Sequence, residues 1–348
     1  MDTHKFKGQS LLVIGHAYIG DALMTLPFIA ALIKANPQKL TVLAPSPGLA
    51  IYARLPGVTN AEERGPTASP IKRLRLAGYD TALVLKDDFA SALLAWRARI
   101  PKRIGFAGEG ARLLLTEAVT KKNAALHGAM RYFALLGKDL PEAFAEFHTL
   151  FPTSPAERKR AAAILASLPE PVIAFAPTTT RAEKDWPLKR CHAFLRQTLG
   201  AGISVVLLGG EKDILRHQDI CTWQTADGEP ASKRGTLLDL SGQTTLGETA
   251  ALLADIPLLV CCDSGPMHLA AAMGTHIIAL FGQSDPERSG PLPWHPDGVQ
   301  PVIVRSALSC APCLRKRCGE NAACMQSIEE RIVFEYVYTF LKRGRRYA

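Results

Sequence analysis

Ser10-Leu11-Leu12-Val13-Ile14, Gly15-His16-Ala17-Tyr18-Ile19-Gly20-Asp21 and Ala22-Leu23-Met24-Thr25-Leu26-Pro27 follow one another without a gap. A short apolar run ends at a glycine, crosses a small polar turn and enters a helix-like stretch expected over Asp21–Asn36. The grammar is that of a buried strand feeding a helix. It repeats at Leu40–Ala44, then at Thr81–Leu85 before Phe89–Arg99, and such alternation predicts βαβ units around a parallel sheet.

A second series begins after the charged, alanine-rich stretch Ser154–Leu168. Val172–Ala176, Ser204–Leu208, Leu258–Cys262 and Ile277–Phe281 read as strands, and Leu188–Leu199 and Leu246–Leu253 as helices. With 348 residues, the chain fits two domains better than one core. The expected division is residues 1–168, residues 169–327, and a closing helix with a basic tail over residues 328–348. In that last segment Ile328, Ile332, Val333, Tyr336, Val337 and Phe340 mark one helical face.

Composition narrows the function classes. The chain is 47% hydrophobic and 21% charged, the balance of an ordered globular protein. No run reaches the roughly 18 apolar residues of a membrane span, and the apolar stretch near the N-terminus is too short for a signal peptide. A cytoplasmic protein is expected, and in that compartment eight cysteines argue against a disulfide framework. The net charge of +9 is uneven: residues 1–150 hold 19 Lys and Arg against 12 Asp and Glu, and the remainder 22 against 20. This basic excess suits phosphorylated substrates, anionic headgroups or nucleic acid, and equally a plain solvated surface.

Four motifs carry candidate chemistry. Asp21 follows a strand at the start of a helix, where it is either a capping carboxylate or a general base. The segment Pro177-Thr178-Thr179-Thr180-Arg181-Ala182-Glu183-Lys184-Asp185-Trp186-Pro187 offers hydroxyls, amides and a lysine at a strand's carboxyl end, a phosphate cradle or a threonine-rich turn. In Cys262-Asp263-Ser264-Gly265-Pro266-Met267-His268 a strand ends in a helix start whose amides and dipole favour an anion. The alternatives there are a capping Ser264 and a core His268. The fourth motif is Cys310, Cys313, Cys318 and Cys324, with Arg315, Lys316 and Arg317 between them. Four close thiolates suit a structural zinc or iron, or are reduced thiols in a loop. No Asp-x-Asp pair occurs, so charge on a leaving diphosphate falls to Lys184, the threonine loop and the helix terminus. Walker, zinc-protease, kinase and Gly-x-Ser-x-Gly patterns are absent too.

In order and spacing, three of these motifs together resemble glycosyltransferase family 9, the heptosyltransferases of lipopolysaccharide inner-core assembly. They are Gly20-Asp21 with Thr25-Leu26-Pro27; Thr179-Thr180-Arg181 with Lys184 and Trp186-Pro187; and Asp263-Ser264-Gly265-Pro266-Met267-His268 followed by Phe281-Gly282 and Asp285-Pro286. The resemblance covers about residues 10–341. It implies an α/β GT-B fold, two facing Rossmann-like domains with parallel sheets and a cleft between them. It also implies inverting transfer of heptose from ADP-heptose with no cofactor required for catalysis, Asp21 acting as base and Lys184 as the second catalytic residue. Thr179, Thr180, Lys184, Asp263, Ser264, Gly265 and His268 would hold the donor, with Asp213 at its ribose. The partners implied are the donor, a phosphorylated lipid-linked glycan acceptor and the anionic inner leaflet, reached peripherally; nucleic acid is not among them.

Departures from the family pattern are specific. His16, Ala17 and Tyr18 stand where many members have small hydroxyl residues, which bears on the acceptor. The cysteine motif is similar to heptosyltransferase II sequences, whereas Thr179-Thr180-Arg181 is nearer heptosyltransferase I. Three other readings stay open: a sugar-nucleotide epimerase on the same fold, a heptosyltransferase acting on a protein or other glycan, and a non-catalytic nucleotide-sugar-binding protein.

Overall fold

The computed structural model describes residues 3–65, 70–108, 110–120, 127–137, 151–222, 235–292, 300–313, 318 and 322–344. The chain forms two compact units, Met1–Phe151 and Pro152–Ala348. In the first, the strands are β1 (Ser10–Ile14), β2 (Lys39–Ala44), β3 (Asn60–Glu63), β4 (Thr81–Val84), β5 (Lys102–Phe106) and β6 (Glu117–Val119). Its helices are α1 (Ile19–Met24), α2 (Leu26–Lys34), α3 (Leu49–Tyr52), α4 (Pro70–Leu76) and α5 (Phe89–Arg97). The second unit holds α6 (Pro155–Leu165), β7 (Val172–Ala176), α7 (Leu188–Gly200), β8 (Ser204–Leu207), α8 (Ile214–Cys221), β9 (Leu237–Asp239), α9 (Leu246–Asp255) and β10 (Leu258–Cys262). It continues with α10 (Gly265–Met273), β11 (His276–Phe281), α11 (Pro286–Ser289), β12 (Val302–Arg305), α12 (Ala323–Gln326) and α13 (Glu330–Gly344).

Among the described residues each unit has one six-stranded sheet, ordered β3-β2-β1-β4-β5-β6 and β12-β11-β10-β7-β8-β9, and every pairing is parallel. The central strands are apolar throughout because helices cover both faces: Leu11 to Ile14 and Leu258 to Cys262 are all buried. The expected α/β fold class of two Rossmann-like units is what the chain forms. In each sheet the order reverses direction once, between β1 and β4 and between β10 and β7. Ligands of open α/β sheets settle outside the strand carboxyl ends at such switch points.

The structure alters four expectations. The helix expected over Asp21–Asn36 is two helices, because Thr25 closes α1, its Oγ1 donating to Ala22 O at 2.6 Å, and Pro27 opens α2, where its missing N–H costs nothing. The boundary expected at residue 168 lies at 151, since α6 packs within the second unit. Ser154 starts that helix with a reciprocal capping box to Glu157, and Arg160 reaches Glu248 at 3.1 Å and Gln243 O at 3.2 Å. The closing helix also belongs to the second unit: Arg190 on α7 pairs with Glu330 at 2.5 Å, and Trp186 Nε1 donates to Ile328 O at 3.1 Å. Its buried face is Val333 and Val337, flanked by Phe334, Phe340 and Leu341, while Ile332 and Tyr336 are exposed. Among the described residues no helix is long and apolar enough to cross a membrane; Arg345 and Arg346 of the basic tail lie outside the described residues.

Candidate functional site

The first unit's switch point lies between the turn after β1 and the segment Lys86–Asp88 after β4. Tyr18 is the N-terminal cap of α1 and makes no side-chain cap bond, so Asp21 is not the capping residue but the acid of the first turn. Around it runs a chain of buried hydroxyls. His16 N donates to Tyr52 Oη at 3.4 Å, Tyr52 Oη meets Thr25 Oγ1 at 3.1 Å, and Thr25 passes its own proton to Ala22 O. A second chain is Arg131 Nη2 donating to Tyr132 Oη at 2.9 Å, which lies 2.8 Å from His16 Nε2. The guanidinium can only donate, so Tyr132 Oη accepts from Arg131, and the direction of its contact with His16 Nε2 is set by the imidazole tautomer. Burial, followed by the charges of Arg131 and Lys86, lowers the His16 pKa to about 4, so the imidazole is neutral at pH 7. Burial also raises the Tyr52 and Tyr132 hydroxyls, Tyr132 to about 12. The charge of Asp21 is felt, as a lesser contribution than burial, by Tyr52, Tyr132 and Arg131.

In the second unit β7 lies beside β10, with Ala176 opposite Cys261. Their exit loops are therefore neighbours, and they meet in an ion pair between Lys184 Nζ and Asp263 Oδ2 at 2.6 Å, with side-chain exposures of 19% and 7%. Two sequence motifs 79 residues apart thus form one site. Ser264 occupies the cap position of α10 without capping it; its hydroxyl turns back to Cys262 O at 3.3 Å. The first amides of α10 thus lack a side-chain cap, the arrangement that receives an anion. His268 is buried one turn into that helix.

The threonine loop is held from behind. Thr179 N donates to Asp185 Oδ1 at 2.7 Å, and Thr179 Oγ1 donates to Arg181 O at 2.7 Å. Thr179 is accordingly committed to the loop's own shape, while Thr180 is exposed. Arg216 ties three parts together, reaching Thr179 O at 3.1 Å, Asp185 Oδ2 at 2.5 Å and Asp213. Asp213, expected at the nucleotide ribose, spends one oxygen on Arg216 and the other on Gly210 N at 2.9 Å. His217, wholly buried, bridges Thr178 Oγ1 at 2.8 Å and Ser241 Oγ at 2.5 Å, and Ser241 donates to Asp239 Oδ1 at 2.5 Å. Because Ser241 gives its proton to Asp239, it accepts from His217 Nδ1, and Thr178 donates to Nε2. Burial lowers the His217 pKa, in keeping with that neutral form. Gly209 makes room for the ring: a Cβ there would lie 2.7 Å from His217 Cε1.

The sequence reading missed Arg131, Tyr132, His217, Ser241 and Asp239. Arg131–Tyr132 and Asp239–Ser241 are local pairs, but they are joined to His16, and through His217 to Thr178, only across distant segments that no local spacing betrays.

Of the two readings of the cysteine motif, a structural zinc or iron is not supported by the described residues. Cys310, Cys313, Cys318 and Cys324 are free, and no group of three or more ligating side chains among the described residues is arranged to hold an ion. Cys324 is a core residue, its sulfur set against the backbone of Gly282. Burial, followed by the nearby Cys318, Cys313 and Cys310, raises its pKa. Arg315, Lys316 and Arg317 lie outside the described residues.

Comparison with known proteins agrees with this geometry. The model of glycosyltransferase family 9 (heptosyltransferase) matches residues 68–323. Lipooligosaccharide heptosyltransferase 2 of Haemophilus ducreyi is 30% identical, over 85% of this chain and 88% of that protein. Lipopolysaccharide heptosyltransferase 2 of Salmonella typhimurium is 31% identical, over 82% of this chain and 86% of its own. Among solved structures, the E. coli ADP-heptose LPS heptosyltransferase II superposes with a TM-score of 0.77 at 26% identity, covering 97% of this chain and 99% of that one. The chain is a glycosyltransferase and belongs to glycosyltransferase family 9, the heptosyltransferases.

Proposed function

We propose that the protein transfers heptose from ADP-heptose to a lipopolysaccharide inner core that already carries its first heptose, with inversion by direct displacement. The observation that carries this reading is the unlike chemistry at the two switch points: a helix-start carboxylate on the same turn as a buried histidine–tyrosine–arginine chain in the first unit, and a lysine–aspartate pair beside an uncapped helix start in the second. The donor follows from resemblance to the E. coli ADP-heptose enzyme, and the acceptor from the heptosyltransferase 2 relatives.

Asp21 takes the proton of the acceptor hydroxyl as that oxygen bonds to the anomeric carbon. The anomeric carbon–oxygen bond to phosphate breaks in the same event, and ADP leaves with the electron pair. Lys184, the exposed Thr180 and the first amides of α10 meet the charge gathering on the diphosphate. Asp263 holds Lys184 in place, and Ser264, Gly265 and His268 complete the donor seat, with Asp213 near the ribose. The basic excess of residues 1–150 suits a phosphorylated lipid acceptor at the anionic cytoplasmic leaflet, reached by peripheral attachment.

The deciding experiment is transfer from ADP-heptose to Kdo–lipid A acceptors with and without the first heptose. Acceptor-dependent ADP release is expected with the heptosylated lipid, and its loss in Asp21→Ala at matched folding. Donor binding without transfer to either lipid would refute the acceptor and favour a protein or another glycan.

A further inference from the structure

Gln283 is only 3% exposed, and among the described residues neither its Oε1 nor its Nε2 has a hydrogen-bond partner. A buried carboxamide unmet at both ends has lost its hydration with nothing in return. Such a group in a packed protein calls for a bound partner that supplies the missing donor and acceptor.

Its place in the fold says what that partner is. Gln283 leaves the carboxyl end of β11, which pairs with β10 in the register Cys262 to Leu280. Segments 263–265 and 282–285 therefore exit the same edge of the sheet side by side. Ser289 Oγ lies 3.4 Å from Asp263 Oδ2 and 3.3 Å from Asp285 O, linking this loop to the Lys184–Asp263 pair. Behind the loop a Cβ on Gly282 would lie 2.7 Å from both Cys324 Sγ and Met325 Sδ. A side chain at position 282 would therefore have no room against α12.

Strand order does the rest. The diphosphate seat lies between β10 and β7, the turn after β8 with Gly209, Gly210 and Asp213 flanks it on one side, and Gln283 flanks it on the other. A donor whose nucleoside lies toward β8 presents its sugar toward β11. A carboxamide offers two N–H donors and one acceptor oxygen, the complement of neighbouring sugar hydroxyls, each of which both gives and receives. We propose that Gln283 is a specificity-determining residue that hydrogen-bonds the hydroxyls of the transferred sugar. This rests on reading the second unit as the donor seat.

The test compares wild type, Gln283→Met and Gln283→Leu for binding of ADP and of ADP-heptose by calorimetry, together with the Tm of each ligand-free protein. Both variants are expected to bind ADP as wild type does and to lose about tenfold in affinity for ADP-heptose. Their Tm should hold or rise, since an unmet polar group has been removed. Equal weakening of both ligands, no change in either, or a lower Tm with an unaltered ADP-heptose to ADP ratio would overturn the proposal and point to a purely structural glutamine. Wild type that binds neither ligand would instead refute the donor reading itself, and this inference with it.

Discussion

The turn after β1 and the turn after β7 hold the same position in their sheets and are built from opposite materials. The turn that carries Asp21 is tied by hydrogen bonds among two tyrosines, a threonine, a neutral histidine and one guanidinium, with the charges of Lys86, Asp87 and Asp88 acting on that histidine. Around Lys184 they are ion pairs: Lys184 with Asp263, and Arg216 with Asp185 and Asp213. A proton acceptor is served by fixed dipoles, whereas a diphosphate calls for positive charge locked in place before it arrives. On the proposed function, one fold repeated within a chain would support two halves of a reaction through its loops alone.

That contrast can be broken most sharply at Asp21. Asp21→Asn is expected to lower kcat by about 10²–10⁴-fold, measured as acceptor-dependent ADP release under saturating substrates. Lys184→Ala comes next: it should cost about 10²–10³-fold in kcat/KM and also lower the Tm, because Asp263 is left buried and unpaired. Lys184→Arg, which restores charge with a different shape, should recover part of the loss in a steady-state assay.

The neutral histidine gives a test by pH. The folded His16 pKa of about 4 lies below the ordinary 6.5, so the folded protein resists protonating it. The resulting stability is full above pH 6.5 and drains away as pH falls toward 4, worth about 3 kcal/mol in all. Burial shifts His217 the same way. Denaturant melts across this window should show a steep acid loss in wild type and a shallower one in His16→Gln. The smallest effect belongs to the chain behind the threonine loop: His217→Gln should raise the donor KM about fivefold and cost about 1 kcal/mol of stability, with kcat nearly unchanged in the same assay.

Much of this architecture was legible in the chain. The buried central strands announce themselves because both faces are covered, and β7 and β10 fall where the apolar runs place them. Edge strands did not, since Asn60–Glu63, Glu117–Val119 and Leu237–Asp239 are short and only partly buried, and nothing in their side chains distinguishes them from loops. The site divides likewise. Asp21, Lys184 and Asp263 stand in local motifs at strand ends and were visible there. The Lys184–Asp263 contact, the His16–Tyr132 contact and the His217 relay arise from sheet order, which brings together segments that no spacing rule connects. The cysteines show the converse, a pattern in sequence compatible with a metal or with reduced thiols, of which Cys324 packs into the core.

The proposed function divides the labour, with proton acceptance in the first unit and donor binding in the second. Calorimetric titration of ADP-heptose into wild type, Asp21→Asn and Lys184→Ala tests it most directly. Asp21→Asn should bind the donor with wild-type affinity although it cannot turn over, and Lys184→Ala should bind at least tenfold more weakly. Donor affinity lost equally in both variants, or retained in Lys184→Ala, would contradict the account.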